Sequence, residues 1–369
     1  MTIEDIALLY VQGLGARGVV HLIDRYGSAE AVYSASVASL IADAGLRKDI
    51  AEGIVCGEGI SMAQREVEYC RRHGILMVAA TDREYPVSLR ETVDRPHILF
   101  VKGNVEALSA PMLSMVGTRE MSPSGQLITN RLIEGLASAL DNFTLVSGIA
   151  YGIDATCHRA AIAHKVPSVA VLANALPEIN PAPHRQLSED ILSNGGALIS
   201  ELTSQSRQNG RHFIARNRII AGLSMGVVVV ESQASGGSLS TAALADGYGR
   251  TVMAVPGRAT DTTSFGTNNL IRSGMARLIL TAQDIIADMD WERYCIKPKA
   301  ETAANGAKAD DLNDNERLVY EQFESAEHVD IHYLIGATGL TIGELMMTLM
   351  SLELKGVIRT LPGQRYEKI

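Results

Sequence analysis

The residues best suited to chemistry in this chain are glycines, hydroxyls and arginines gathered at the ends of apolar runs. The first group lies in LSMVGTREMSPSG, where Leu113–Val116 has the character of a strand and Gly117, Thr118 and Arg119 follow it directly. Glycine lets a ligand approach the backbone, Thr118 offers a hydroxyl, and Arg119 carries a fixed positive fork. Ser122 and Pro123 suit the cap and first turn of a helix, whose free N–H groups attract an anion. The spacing is neither GxGxxG nor a P-loop, so it gives no specific dinucleotide or ATP assignment. An ordinary strand-to-helix turn with a surface arginine would carry the same residues.

Three more groups follow. In SGIAYGIDATCHRAAI, Gly148 ends a strand, Gly152 follows, and Asp154 can cap a helix bearing His158 and Arg159. His158 has no nucleophile or carboxylate at a recognisable spacing, which points to packing or hydrogen bonding rather than catalysis. Between Leu202 and Val230 stand Arg207, Arg211, Arg216 and Arg218 with no acid, and Phe213 lies among them. Arginines interleaved with an aromatic ring suit a nucleic-acid strand, since the cations meet phosphates and the ring stacks a base. Arg216 or Arg218 as helix-cap or ion-pair residues, with Phe213 in the core, is the alternative. In ESQASGGSLSTAALADGYGR, Gly236, Gly237 and Ser238 form a second anion-friendly loop before a helix with Thr241 near its start.

These loops need a scaffold. From about residue 75 the chain alternates apolar, β-prone runs (ILMVAA, HILFVKG, LSMVG, FTLVSG, SVAVLAN, ALISEL, MGVVVVES, TVMAVPG, ARLIL) with helical stretches such as 124–140, 155–164 and 239–248. Strands apolar on both faces, alternating with helices, predict a doubly wound, mostly parallel α/β sheet of Rossmann-like type over residues 74–292. Ligands of such sheets bind outside the carboxyl ends of the strands, where all four groups fall. Residues 1–73 predict a small helical domain, SAM-like or helix–hairpin–helix-like. It has helical spacing on either side of Gly13-Leu14-Gly15, a further stretch over 31–40, and a helix over 61–73. A plain helical turn would use the same glycines. Residues 293–311 have almost nothing to bury and predict a linker. Residues 312–369 predict a winged-helix-like domain: helices over 313–323, 331–336 and 341–354, then two strands joined by Pro362-Gly363.

Charge follows this division. The whole chain of 369 residues carries a formal −9, yet residues 107–287 hold 12 acids against 13 bases, 12 of which are arginine. The acidic excess therefore sits at the two ends, and the middle can meet phosphate. Cys56, Cys70, Cys157 and Cys295 form no CxxC, so neither a zinc site nor a disulfide framework is expected, and a reducing compartment fits. No apolar run is long enough to span a bilayer, and MTIEDIALLY has acids where a signal peptide carries bases. The expectation is a cytoplasmic protein without a membrane partner, metal or cofactor.

Taken together, GTR after a strand, SGxAxGIDxxxH, RNRIIAGLS, SGGSLSTA and the Val255–Gly257 VPG resemble the DNA-processing protein A (DprA/Smf) family over about residues 75–290. The resemblance implies natural transformation: binding of incoming single-stranded DNA, homodimerisation, and loading of the recombinase RecA, without catalysis. It places the family's pocket on Gly117, Thr118 and Arg119, and its second basic stretch on Arg216, Asn217 and Arg218. The dimer and RecA surface falls near Leu270, Ile271, Met275 and Leu278, which could equally be core. Two positions depart from the pattern. Tyr151 stands where the family often has Lys or Arg, leaving base stacking as its alternative role. Arg185 is the nearest base to the segment that often reads YPxxN. The winged helix's expected recognition helix, TIGELMMTLMSLELK, has two acids and one lysine. Phosphates repel such a helix, so a protein contact or an autoinhibitory dock on the basic groove is expected there.

Two other classes compete. Phosphoribohydrolases on a related Rossmann-like fold resemble PGGxGTxxE in the fourth loop, with a glutamate acting on the ribose. Here Ala242, Ala243 and Leu244 follow Thr241, and Asp246 is displaced along the helix. A structural adaptor acting through the acidic winged helix is the third class.

Overall fold

The computed structural model describes residues 1–207, 209–291, 312–324, 329–355, 357–361 and 365–368. The expected linker over 293–311 and the Pro362-Gly363 turn lie outside the described residues. The chain divides into two compact units, Met1–Ile296 and Lys297–Ile369.

The first unit opens with helices α1 (Ile3–Ala7), α2 (Ala16–Tyr26), α3 (Ala29–Ser34), α4 (Val37–Ala44), α5 (Lys48–Val55) and α6 (Ile60–His73). The stretch expected as one helix over 31–40 is broken, because Ser36 caps α4 by accepting from the Ser39 N–H at 3.1 Å. Gly13 turns the chain into α2 with φ +83°, a left-handed conformation that favours glycine.

The strands are β1 (Leu76–Ala79), β2 (Ile98–Gly103), β3 (Met112–Val116), β4 (Thr144–Ser147), β5 (Ser168–Val171), β6 (Ala197–Ser200), β7 (Gly226–Val229), β8 (Thr251–Ala254) and β9 (Arg277–Leu278). Each of the nine matches one of the apolar runs, β3 beginning one residue before its run. They form one sheet in the order β1-β2-β6-β5-β4-β3-β7-β8-β9. β1 pairs antiparallel with β2, and β2 with β6; the remaining pairs are parallel. Between them run α7 (Val87–Arg90), α8 (Pro123–Ala139), α9 (Ile153–Ala163), α10 (Arg185–Ser193), α11 (Arg211–Leu223), α12 (Gly237–Gly247), α13 (Phe265–Arg272) and α14 (Ala282–Asp288).

Alternation of side chains along each strand builds two cores. Val116, Val227, Val229 and Ala254 face one way, against Ile219, Ile220 and Leu223 of α11 and Ala242 and Ala245 of α12. Leu113, Met115, Val228 and Met253 face the other way, against Leu132, Ile133 and Leu136 of α8 and Cys157 and Ala161 of α9. Phe100, Ala170 and Leu198 extend the second face, which is covered there by residues of α1, α6 and α10. The chain therefore winds from β3 to β6 with helices on one face. It then returns along α11 on the other face to β7, beside β3. This reversal makes the β3/β7 boundary a switch point, where strand-end loops splay apart and leave a crevice.

Glu66 of α6 is buried and ties the leading helices to the loop before α11. It accepts from the Tyr10 hydroxyl at 2.7 Å and from the Ser204 N–H at 2.8 Å. A carboxylate acceptor contributes more than a neutral one, and both donors here are half-buried. Glu66→Ala is expected to destabilise the unit by about 2 kcal/mol, read as a lower urea midpoint, with Glu66→Gln recovering part of the loss.

The second unit contains α15 (Asp314–Glu321), α16 (Ile331–Thr338) and α17 (Ile342–Leu354), with strands β10 (Val329–Asp330), β11 (Ile358–Leu361) and β12 (Arg365–Lys368). The strands form an antiparallel sheet in the order β10-β12-β11, completing a winged-helix arrangement. β10 is too short to register as a strand in the sequence. Along α17, Ile342, Met346, Met347 and Met350 are exposed beside Glu344 and Glu353.

Candidate nucleic-acid interface

A cavity of about 700 Å³ opens at the carboxyl edge of the sheet. Gly117, Thr118 and Arg119 after β3, Gly236, Gly237 and Ser238 before and in α12, and Phe213, Arg216 and Asn217 of α11 all line it. With Ala150 and Asp154 of the second group also in the lining, all four sequence groups, up to about 120 residues apart, converge on one site.

The loops interlock through close backbone approach. Thr118 donates its N–H to the Glu231 carbonyl at 2.7 Å, and its own carbonyl accepts from the Ile153 N–H at 3.1 Å. Gly152 has φ +74°, and a Cβ there would collide with the Thr118 carbonyl. A Cβ on Gly148 would collide with the Arg216 guanidinium, whose Nη1 donates to the Gly148 carbonyl at 2.8 Å. Behind Arg119, Ser122 caps α8 by accepting from the Gly125 N–H at 3.0 Å, and the buried Glu231 accepts from the Ser122 N–H at 2.8 Å. Asn217 donates to the Gly237 carbonyl at 3.2 Å and so fastens α11 to α12.

The arginines separate into two kinds. Arg119 is exposed, and its guanidinium carbon lies 5.4 Å from the centre of the Phe213 ring. Arg207 and Arg211 are also exposed, on the chain entering α11 and at its first residue. Arg218 corrects the expectation of a strand contact, whereas Arg216 keeps a place in the cavity lining. Arg216 is only 5% exposed and donates to the carbonyls of Gly148 and Val171, so it supports the cavity from beneath. Burial lowers its pKa to about 10; the charge of Asp154 opposes this shift and Arg119 adds to it, leaving the group cationic at neutral pH. Arg218 is paired with Glu201 and is not among the cavity residues. Position along α11 explains the split: its first residues are largely open, and from Arg216 onward every residue but Arg218 is buried.

Asp154 lines the cavity floor, a place sequence reasoning assigned only to capping. Burial pushes its carboxyl upward, while the Arg216 charge holds it down. Ile214, Gln233, Ser235 and Thr241 also line the cavity. Ile214 is 65% exposed beside Phe213, and no sequence signal singled it out. Tyr151 is 47% exposed and meets His184 edge-on at 4.9 Å, at the end of β4. Arg185 is exposed at the start of α10, and neither it nor Tyr151 lines the cavity.

His158 is fully buried, with Nδ1 3.1 Å from the Ser168 hydroxyl. Burial lowers its pKa to about 3 from the usual 6.5, with His184 and Arg216 acting in the same direction. The folded chain keeps this ring neutral while an unfolded chain protonates it, so stability is present above pH 6.5 and is lost as pH falls toward 3. About 2 kcal/mol is expected to disappear between pH 6.5 and 5, with a smaller loss in His158→Asn, read from urea midpoints.

The four residues expected at a dimer or RecA surface do not share one environment. Leu270 corrects that expectation: it is buried in the core against the sheet, and Ile271 packs partly against the same cluster. Met275 and Leu278 are exposed, Leu278 by 48% on β9, the last strand of the sheet. Among the described residues no group of His, Cys, Asp and Glu could hold a metal ion. No described helix is long and apolar enough to cross a membrane.

The model of the family described as DNA recombination-mediator protein A matches residues 76–290, and that of the DprA winged helix domain matches residues 302–364. The Smf protein of Escherichia coli is 34% identical over 78% of this chain and 76% of its own length. The X-ray structure of DNA processing protein A from Streptococcus pneumoniae superposes with a TM-score of 0.68 at 30% identity, covering 78% of this chain and 98% of that one. The DNA processing protein A of Helicobacter pylori, solved for its single-stranded-DNA binding mode, has a TM-score of 0.51 at 25% identity and covers 58% and 99%.

Proposed function

This chain belongs to the DNA recombination-mediator protein A (DprA/Smf) family, and from that premise we propose that it binds single-stranded DNA at the carboxyl edge of its sheet and passes it to a RecA-type recombinase. The observation that carries this reading is the exposed Arg119 guanidinium over the Phe213 ring at the mouth of a cavity of mixed polar and apolar lining. Phosphate is attracted by Arg119, Arg211 and the start of α12, and a base stacks where Phe213 and Ile214 are open. The Helicobacter pylori relative, solved for the way it binds single-stranded DNA, supports the same ligand class.

The role is binding rather than catalysis. The carboxylate that a phosphoribohydrolase needs on α12 is replaced by Ala242, Ala243 and Leu244. A second copy pairs at β9, an edge strand with Met275, Leu278 and Leu280 exposed around it. The acidic, methionine-faced α17 serves a protein contact, since a DNA-reading helix needs cations. The protein works in the cytoplasm, where strand and recombinase meet.

The test is fluorescence anisotropy with a labelled thymine oligonucleotide across a salt series. Affinity is expected to fall with salt at a log–log slope of about −0.7 for each phosphate neutralised, so two or three contacts give a slope of about −1.4 to −2.1. A salt-independent affinity, or turnover of a nucleoside monophosphate, would overturn the reading.

A further inference from the structure

The cavity has features that a chain of phosphodiesters does not use fully. Its volume of about 700 Å³ lies inside the range of small-molecule sites, roughly 300–1,000 Å³. At its mouth stand Phe213, Ile214 and Arg119, which suit a base. At the other side α12 starts at Gly237 behind Gly236, with no side chain capping its first turn. The free N–H groups of that turn suit an anion. Independently, Arg216 is 5% exposed, lines the same cavity, and has an Nε that is buried without a hydrogen-bond partner. Its Nη1 is taken by the Gly148 and Val171 carbonyls and Asp154 supplies countercharge, so the unpaired Nε marks a missing acceptor rather than a missing charge.

A phosphomonoester carries about −1.5 to −2 charges at neutral pH, whereas each bridging phosphate of a strand carries one. A terminal phosphate presents more free oxygens than an internal one, so the uncapped helix start and the unpaired Nε favour it, with Asp154 already balancing the Arg216 charge. We propose that the cavity takes a nucleotide bearing a terminal phosphomonoester. Its base lies at Phe213 and its phosphate at the start of α12, above Arg216. This rests on reading the cavity as the nucleic-acid site. The same chemistry comes from two sources: a free nucleoside 5′-monophosphate, or the 5′-phosphorylated end of a strand. Either would make the site respond to strand ends or to the nucleotides released when strands are degraded.

The test uses the full chain in two assays: calorimetric titration with dTMP alone, and displacement of a labelled 5′-hydroxyl thymine oligonucleotide. dTMP is expected to bind at millimolar concentration and displace the oligonucleotide, with thymidine at least about tenfold weaker. An unlabelled oligonucleotide with a 5′-phosphate is expected to compete several-fold better than its 5′-hydroxyl form if strand ends are the source. An equal effect of the two oligonucleotides assigns the site to free nucleotides. Gly237→Asp sets a carboxylate at the first residue of α12, where helices accept acids, and is expected to abolish dTMP binding. Ser235→Glu at the cavity mouth does the same with an exposed side chain if Gly237→Asp fails to fold. If the oligonucleotide binds while dTMP neither binds nor competes, the inference is overturned and single-stranded-DNA binding stands. The inference also falls if dTMP still binds both folded variants. If dTMP binds and no oligonucleotide does, the cavity assignment stands and the strand-binding reading fails.

Discussion

Arg119→Ala is expected to weaken binding of a thymine oligonucleotide about tenfold, with the melting temperature lowered by about 2–4 °C at most. Its guanidinium is exposed and touches the Phe213 ring rather than an acid, so the folded state loses at most a cation–π contact of about 0.5–1 kcal/mol. The bound state loses a charge-assisted contact to phosphate, about 1.5 kcal/mol at a solvated groove. Phe213→Ala removes a stacking surface of about 1–3 kcal/mol per base and is expected to cost a similar factor or more. The two groups lie 5.4 Å apart, so the double substitution should fall short of the product of the single effects, at up to about a hundredfold. Anisotropy titrations at one salt concentration measure all three. Arg119→Lys keeps the charge but not the planar fork and should recover only part of the affinity.

Arg216→Ala is expected to act in the opposite way, lowering stability by about 3–5 kcal/mol and losing DNA binding chiefly through collapse of the cavity. Removing this side chain leaves the Gly148 and Val171 carbonyls without their donor. It also leaves the buried Asp154 without the cation that holds its carboxyl down. An unpaired buried charge is among the most destabilising changes a core can suffer. Arg216→Lys supplies the charge through a single ammonium, which cannot reproduce the guanidinium's geometry, and should lie between. Denaturation midpoints measured beside oligonucleotide affinity distinguish the two arginines. Full affinity loss with an unchanged midpoint in Arg216→Ala would make it a strand contact after all.

The strands of the central sheet were legible because burial on both faces imposes a signal local to each run. The order of those strands was not, since pairing across the sheet joins segments far apart in sequence, as where β3 meets β7. The glycine loops could be located because ligands of such sheets gather at strand ends. Composition showed four arginines around Phe213 but could not say which faced water. Arg216 and Arg218 sit two residues apart, and only the packing of α11 turns one beneath the cavity and the other toward Glu201. The same limit hid Ile214, an apolar residue left open at a helix start, and placed the core residue Leu270 on a surface. Glu231 and Glu66 gave no motif at all, because their partners, Ser122 and Ser204, lie more than a hundred residues away.

Photo-crosslinking of a 5-iodouracil oligonucleotide, mapped by mass spectrometry, locates the strand most directly. Crosslinks at Phe213, and on peptides spanning Gly117–Arg119, are the result expected here. Crosslinks confined to α17, or scattered over α8 and α14, would place the strand elsewhere and contradict the account.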